Sequence, residues 1–147
     1  MNSEEAIGSL ESLWYTLVDG IAPREVSQFN PDLSVHGAMT KVGCRNGESI
    51  KEGPPWRYLY SVFFEFQPDF ETKMSQRLNE MKDEGWTVKR ELDSSSHNPK
   101  SILVRDGFTI NFSAPSNDNR GASANQGNGP EPMNLAIFSP CASEEVE

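Results

Sequence analysis

Residues 56–66, WRYLYSVFFEF, constrain the fold more than any other stretch of the chain. The even positions Trp56, Tyr58, Tyr60, Val62, Phe64 and Phe66 are all aromatic or aliphatic, while Arg57, Leu59, Ser61, Phe63 and Glu65 are mixed. A period of two puts one set on each face of a β-strand. One face is then wholly buried and the other half buried, which describes an interior strand covered by a helix on at least one side. The stretch itself carries no reactive group.

Two helical patterns flank it. Ile7, Leu10, Trp14, Leu17 and Ile21 recur at three- and four-residue spacing, predicting a helix capped by Ser3 and running to about Asp19. Glu4 and Glu5 suit the positive end of its dipole, and Gly20 then Pro23 stop it. After the strand, Pro68 and a capping Asp69 introduce a helix over Phe70 to Glu84, with Phe70, Met74, Leu78 and Met81 as its buried stripe. Gly85 is placed as a left-handed terminator, with Trp86 folding back on Met81 as in a Schellman motif.

Further strands are predicted at Trp86–Leu92, Ser101–Arg105, Phe108–Ser113 and Asn134–Cys141. Asp106-Gly107 between the second and third of these is a strong signal for a two-residue hairpin turn. Arg24–Pro55 is crowded with Gly and Pro and predicts extended loop, with Leu33–His36 and Met39–Val42 as candidates for one short strand. Ala114–Pro132 is a flexible Ser, Asn and Gly-rich loop. The order predicts an α+β two-layer sandwich, a largely antiparallel sheet of four to five strands packed by two helices. It forms one domain over residues 1–143, with 144–147 as an acidic tail.

Thirteen Lys and Arg against 22 Asp and Glu give a net charge of −9. That sign disfavours phosphate backbones and anionic lipid surfaces, and no run of Lys or Arg offsets it locally. Nucleic acid is therefore not an expected partner. No apolar run approaches the roughly 18 residues that a transmembrane helix needs.

The residues show no catalytic constellation. His36 and His97 stand in turn-rich segments without metal-ligand spacing, and read as solvated. Gly121, Gly127 and Gly129 precede a strand and lack the Gly-Lys-Ser/Thr of a phosphate loop. No convincing carboxylate pair and no Gly-x-Ser-x-Gly elbow occur. No metal or cofactor is expected. Trp14, Trp56, Tyr58, Tyr60 and Trp86 are core candidates that would line a groove for a small apolar ligand if the helices splay. Cys44 and Cys141 flank the core segments. They read either as a staple closing a 97-residue loop, worth about 4–5 kcal/mol in the chain-entropy model, or as two buried thiols.

Several features fall in a recognisable order: a helix ending near Asp19-Gly20, Gly43-Cys44, Pro55-Trp56, a helix ending in Gly85-Trp86, Arg105-Asp106-Gly107-Phe108, and Ser139-Pro140-Cys141. The pattern resembles the small cell-envelope lipoproteins of actinobacteria, including the LppA-like group of mycobacteria, across Ile7 to Cys141. The resemblance implies a Cys44–Cys141 disulfide, an extracytoplasmic location, and an export signal with a lipidated cysteine ahead of residue 1. No lipidated cysteine precedes Met1 in this sequence, and a protein that truly starts at Met1 would be cytoplasmic. The resemblance brings no activity for any residue. The functional expectation is a non-enzymatic envelope domain that engages a protein or an envelope component. The alternatives are a carrier of a small apolar ligand and an enzyme with a loop-built site.

Overall fold

The computed structural model describes residues 2–22, 26–29, 39–47, 51–93, 95–96, 99–116 and 132–142. His36, His97, the candidate strand Leu33–His36, most of the 114–132 loop and the acidic tail lie outside them. The elements in chain order are α1 (Ser3–Val18), β1 (Met39–Asn46), β2 (Lys51–Phe64), α2 (Pro68–Asp83), β3 (Thr87–Arg90), β4 (Lys100–Arg105), β5 (Phe108–Ser113) and β6 (Met133–Phe138). The fold is α+β, as expected. The sheet has six strands rather than four to five, in the order β1-β2-β6-β5-β4-β3, and every neighbouring pair is antiparallel.

The additional strand comes from the Gly- and Pro-rich segment. β1 reaches from Met39 to Asn46, and β2 begins five residues before Trp56. A register shift makes this possible: Gly43 pairs with Trp56 and Arg45 with Glu52, so Cys44 alone faces Gly53, Pro54 and Pro55. A bulge leaves residues out of the ladder, so two prolines that cannot donate to it are accommodated. Gly53 is required there, because the indole of Trp56 lies where a Cβ would stand.

β6, the last strand, joins two halves of the sheet. It enters between β2 of the β1–β2 hairpin and β5 of the β3–β4–β5 meander. One row of paired residues then crosses all six strands: Met39, Tyr60, Ile137, Ile110, Leu103 and Val88. Every member is apolar, and this is the face on which the helices lie. Trp14 meets Tyr60 edge-on at 4.7 Å between centroids, and Phe70 sits between Phe64 at 5.2 Å and Phe112 at 6.1 Å. Two polar tips in this core reach the same short segment: Trp14 Nε1 donates to the Val26 carbonyl and Tyr60 Oη to that of Gln28. Both large rings are thus buried without stranding a polar atom.

The helix ends refine the expected caps. Asn2, not Ser3, caps α1, in a capping box with Glu5. α2 begins at Pro68, whose missing N–H costs nothing in a first turn; Gln67 precedes it without a side-chain bond, so Asp69 is inside the helix. At the far end Gly85 has φ +109°, Trp86 N–H donates to Met81 and Gly85 N–H to Lys82, the two bonds of a Schellman motif. Arg105 supplies a further donor to the Glu84 carbonyl at 2.8 Å. α1 has no basic residue in its last turn, and Arg77 of α2 reaches across to the carbonyls of Thr16, Leu17 and Asp19. The Asp106-Gly107 turn has positive φ at both residues, as a type I′ hairpin demands.

Candidate functional site

The period-two logic that buries one face of the sheet also determines the other. A second row crosses all six strands on the side away from the helices: Thr40, Leu59, Phe138, Thr109, Val104 and Thr87. Beside it run Ser61, Ala136, Asn111, Ile102 and Arg90, and then Phe63, Asn134, Ser113 and Lys100. None of these apolar side chains belongs to the core cluster beneath the helices. Phe63 is 69% exposed, far more than any other large apolar side chain among the described residues. Leu59, Ile102, Val104 and Phe138 are half-buried by their neighbours in the sheet.

Charge is distributed just as unevenly. The strands hold eight of the chain's 13 cations: Lys41 and Arg45 in β1, Lys51 and Arg57 in β2, Lys89 and Arg90 in β3, Lys100 and Arg105 in β4. They hold one of its 22 carboxylates, Glu52. The strands therefore carry +7 (eight cations less one carboxylate) and the rest of the chain −16 (five cations less 21 carboxylates). Carboxylates resume where the strands stop, at Glu65, Glu91 and Asp106. The protein is acidic as a whole and its sheet is basic.

On the face away from the helices, Arg57 is the best-defined cation. Its guanidinium carbon lies 4.7 Å from the Phe138 centroid, and Nε donates to the Ser139 carbonyl at 3.3 Å. Burial pushes its pKa down from the ordinary value, but a guanidinium stays protonated throughout the working pH range. Ser139, fully buried beside it, accepts from Tyr58 N–H and donates to the Pro140 carbonyl. Asn134 donates to Ser61 Oγ and to the Val62 carbonyl. Asn111 Oδ1, in the middle of the face, is buried with no hydrogen-bond partner among the described residues. Such an acceptor costs about 1–3 kcal/mol until a donor reaches it.

The two cysteines form a disulfide, Cys44–Cys141, with Cα atoms 6.2 Å apart. Its position follows from the bulge. Cys44 sits in β1, and Cys141 lies between the end of β6 and Ala142, which makes an isolated bridge with Trp56 of β2. The bond ties the edge strand to the extension of the last strand across β2. The most irregular corner of the sheet is thereby covalently closed.

The five aromatic groove candidates separate. Trp14, Tyr58 and Tyr60 are buried in the core, and Trp14 and Tyr60 touch. Trp56 is partly exposed next to Gly53, with Lys41 Nζ 4.5 Å from its ring. Trp86 precedes β3 at the opposite edge of the sheet, partly buried against the core. Trp86 stands apart from the other four, which lie on or against β2. A small cleft of about 160 Å³ lies elsewhere, lined by Ser75, Leu78, Asn79, Glu91, Leu92 and Ser101. That is room for about five waters. Among the described residues no group of three or more His, Cys, Asp or Glu is placed to hold a metal ion.

Sequence reasoning missed the cations of this face, Arg57, Arg90 and Lys100, because they come one to a strand from three strands, never in a run. The available signal was the near absence of Asp and Glu from the strand segments. No protein-family model, no curated protein and no solved structure matches this chain.

Proposed function

We propose that this protein is a non-enzymatic binding domain of the cell envelope, working outside the cytoplasm and engaging a protein or envelope component. The observation that carries the binding role is the face of the sheet away from the helices. Phe63 stands out into solvent there, and Leu59, Phe138 and Val104 make an apolar centre among Thr, Ser, Asn and cationic side chains. An apolar, aromatic and Arg-containing centre within a polar surround is the anatomy of a protein interface. The Cys44–Cys141 disulfide supports the compartment, since such bonds persist in oxidising surroundings and are rare in reducing ones. The similarity to actinobacterial envelope lipoproteins supports the same placement and adds a lipid anchor ahead of residue 1 as the membrane attachment.

Thiol trapping in intact cells tests this reading. Cells are quenched with acid, denatured, and treated with a maleimide-polyethylene glycol before and after reduction. The full-length protein should gain mass only after reduction, and surface-added protease should degrade it in intact cells. Protein carrying two adducts before reduction, and resistant to that protease, would contradict the compartment.

A further inference from the structure

The occupant of the face can be narrowed, on the reading that this face is a binding surface. We infer that it binds an acidic polypeptide segment whose carboxylates alternate with apolar side chains. Three observations converge. First, cations border the apolar centre on separate sides: Arg57 pairs with Val42 at one end, Lys100 pairs with Ser113 at the other, and Arg90 pairs with Ile102 toward the β3 edge. No paired residue of these rows is acidic. Second, the Arg57 guanidinium lies over the Phe138 ring and uses Nε on the Ser139 carbonyl, and its terminal N–H groups are donors of the kind that pair with a carboxylate. Third, the middle row of Leu59, Phe138 and Val104 offers apolar area that only a partner with apolar side chains can cover.

Charge segregation decides between classes of anion. The carboxylates outside the strands carry most of the chain's charge, and an extended anionic surface such as a membrane meets their whole field. A short segment lying on the sheet is separated from the helix layer by about 10 Å, roughly one Debye length at physiological salt. It feels chiefly the basic face. A nucleic acid satisfies the cations, but its uniform row of phosphates leaves the aliphatic centre uncovered. A second copy of this chain docking face to face opposes cation to cation.

The test is a chemical-shift titration of the disulfide-intact domain, using four probes at physiological salt. These are a synthetic peptide alternating Glu with Leu, the same peptide with Lys for Glu, phosphatidylglycerol vesicles, and oligothymidylate. The Glu peptide should move the amides of Leu59, Ser61, Phe63, Ala136 and Phe138 and leave those of α1 and α2 in place. Raising salt should weaken binding. Phe63→Ser should lower affinity about tenfold and Lys100→Gln by less, neither changing the melting temperature, as expected for an aromatic contact and a bordering charge. If the Lys peptide, the vesicles or the oligonucleotide shift these amides more strongly, the partner class is wrong while the face remains a binding surface. If no probe moves them, both statements fall.

Discussion

Arg57 lies over the ring of Phe138, guanidinium carbon to centroid 4.7 Å, with Nε bound to the carbonyl of the next residue along, Ser139. The contact places a fixed positive charge on the apolar middle of the sheet. Replacing Arg57 by Lys keeps the charge but loses the planar guanidinium and its several donors. Arg57→Lys should cost about 0.5–1 kcal/mol, the worth of an exposed cation–π contact, and Arg57→Ala more, since it also uncovers Phe138. Urea unfolding with unchanged m-value checks both.

The disulfide makes a larger prediction. The 97-residue separation between Cys44 and Cys141 gives about 4–5 kcal/mol in the chain-entropy model. A Cys44→Ser/Cys141→Ser double variant should lose about 2–5 kcal/mol in urea, with hydrogen exchange accelerated first in β1 and around Ala142. A loss below about 1 kcal/mol would mean that β1 and the β6 extension hold together without the bond.

Much of this architecture was legible in residue order. The alternation of Trp56–Phe66, the Phe70–Met81 stripe with its Gly85 stop, and the Asp106-Gly107 hairpin are local signals, and each local preference agrees with its place in the fold. The start of β1 was legible in the candidate strand Met39–Val42, but its second half and the first third of β2 were not, because Gly43, Gly53, Pro54 and Pro55 read as loop unless a bulge is known to absorb them. The Asn2 cap was hidden by Ser3, an equally good capping residue one position later. The basic face needed register. Arg57, Arg90 and Lys100 come from three separate strands, and only pairing shows that they surround one apolar row.

Arg77 couples the two helices by donating to the last carbonyls of α1, at Thr16, Leu17 and Asp19. These carbonyls end a helix that lacks a basic residue in its own last turn. Arg77→Ala should destabilise by about 1.5–3 kcal/mol, the range for hydrogen bonds to a charged group. Arg77→Lys should recover part of it. Thermal or urea unfolding of the two variants side by side checks the order.

One local pH effect is expected at the turn after β3. Hydrogen bonds from the Ser95 hydroxyl, and then from its N–H, hold the Asp93 carboxyl below its ordinary pKa. A depressed folded-state value means that the contribution is present above the unfolded pKa and fades as pH falls through the folded one. Ser95→Ala should raise the Asp93 pKa toward that of a free carboxylate, read from its side-chain resonance in an acid titration. Because Asp93 is fully exposed, global stability near neutral pH should be insensitive to the change.

We propose that this protein meets its partner on the face of the sheet away from the helices. A photo-crosslinking amino acid placed at Phe63 on that face, and separately at Glu80 on the exposed side of α2, tests it in the cells that make the protein. A discrete higher-mass adduct is expected from position 63, weakened when Lys100→Gln is added, and none from position 80. The same adducts from both positions, or an adduct from position 80 alone, would contradict it.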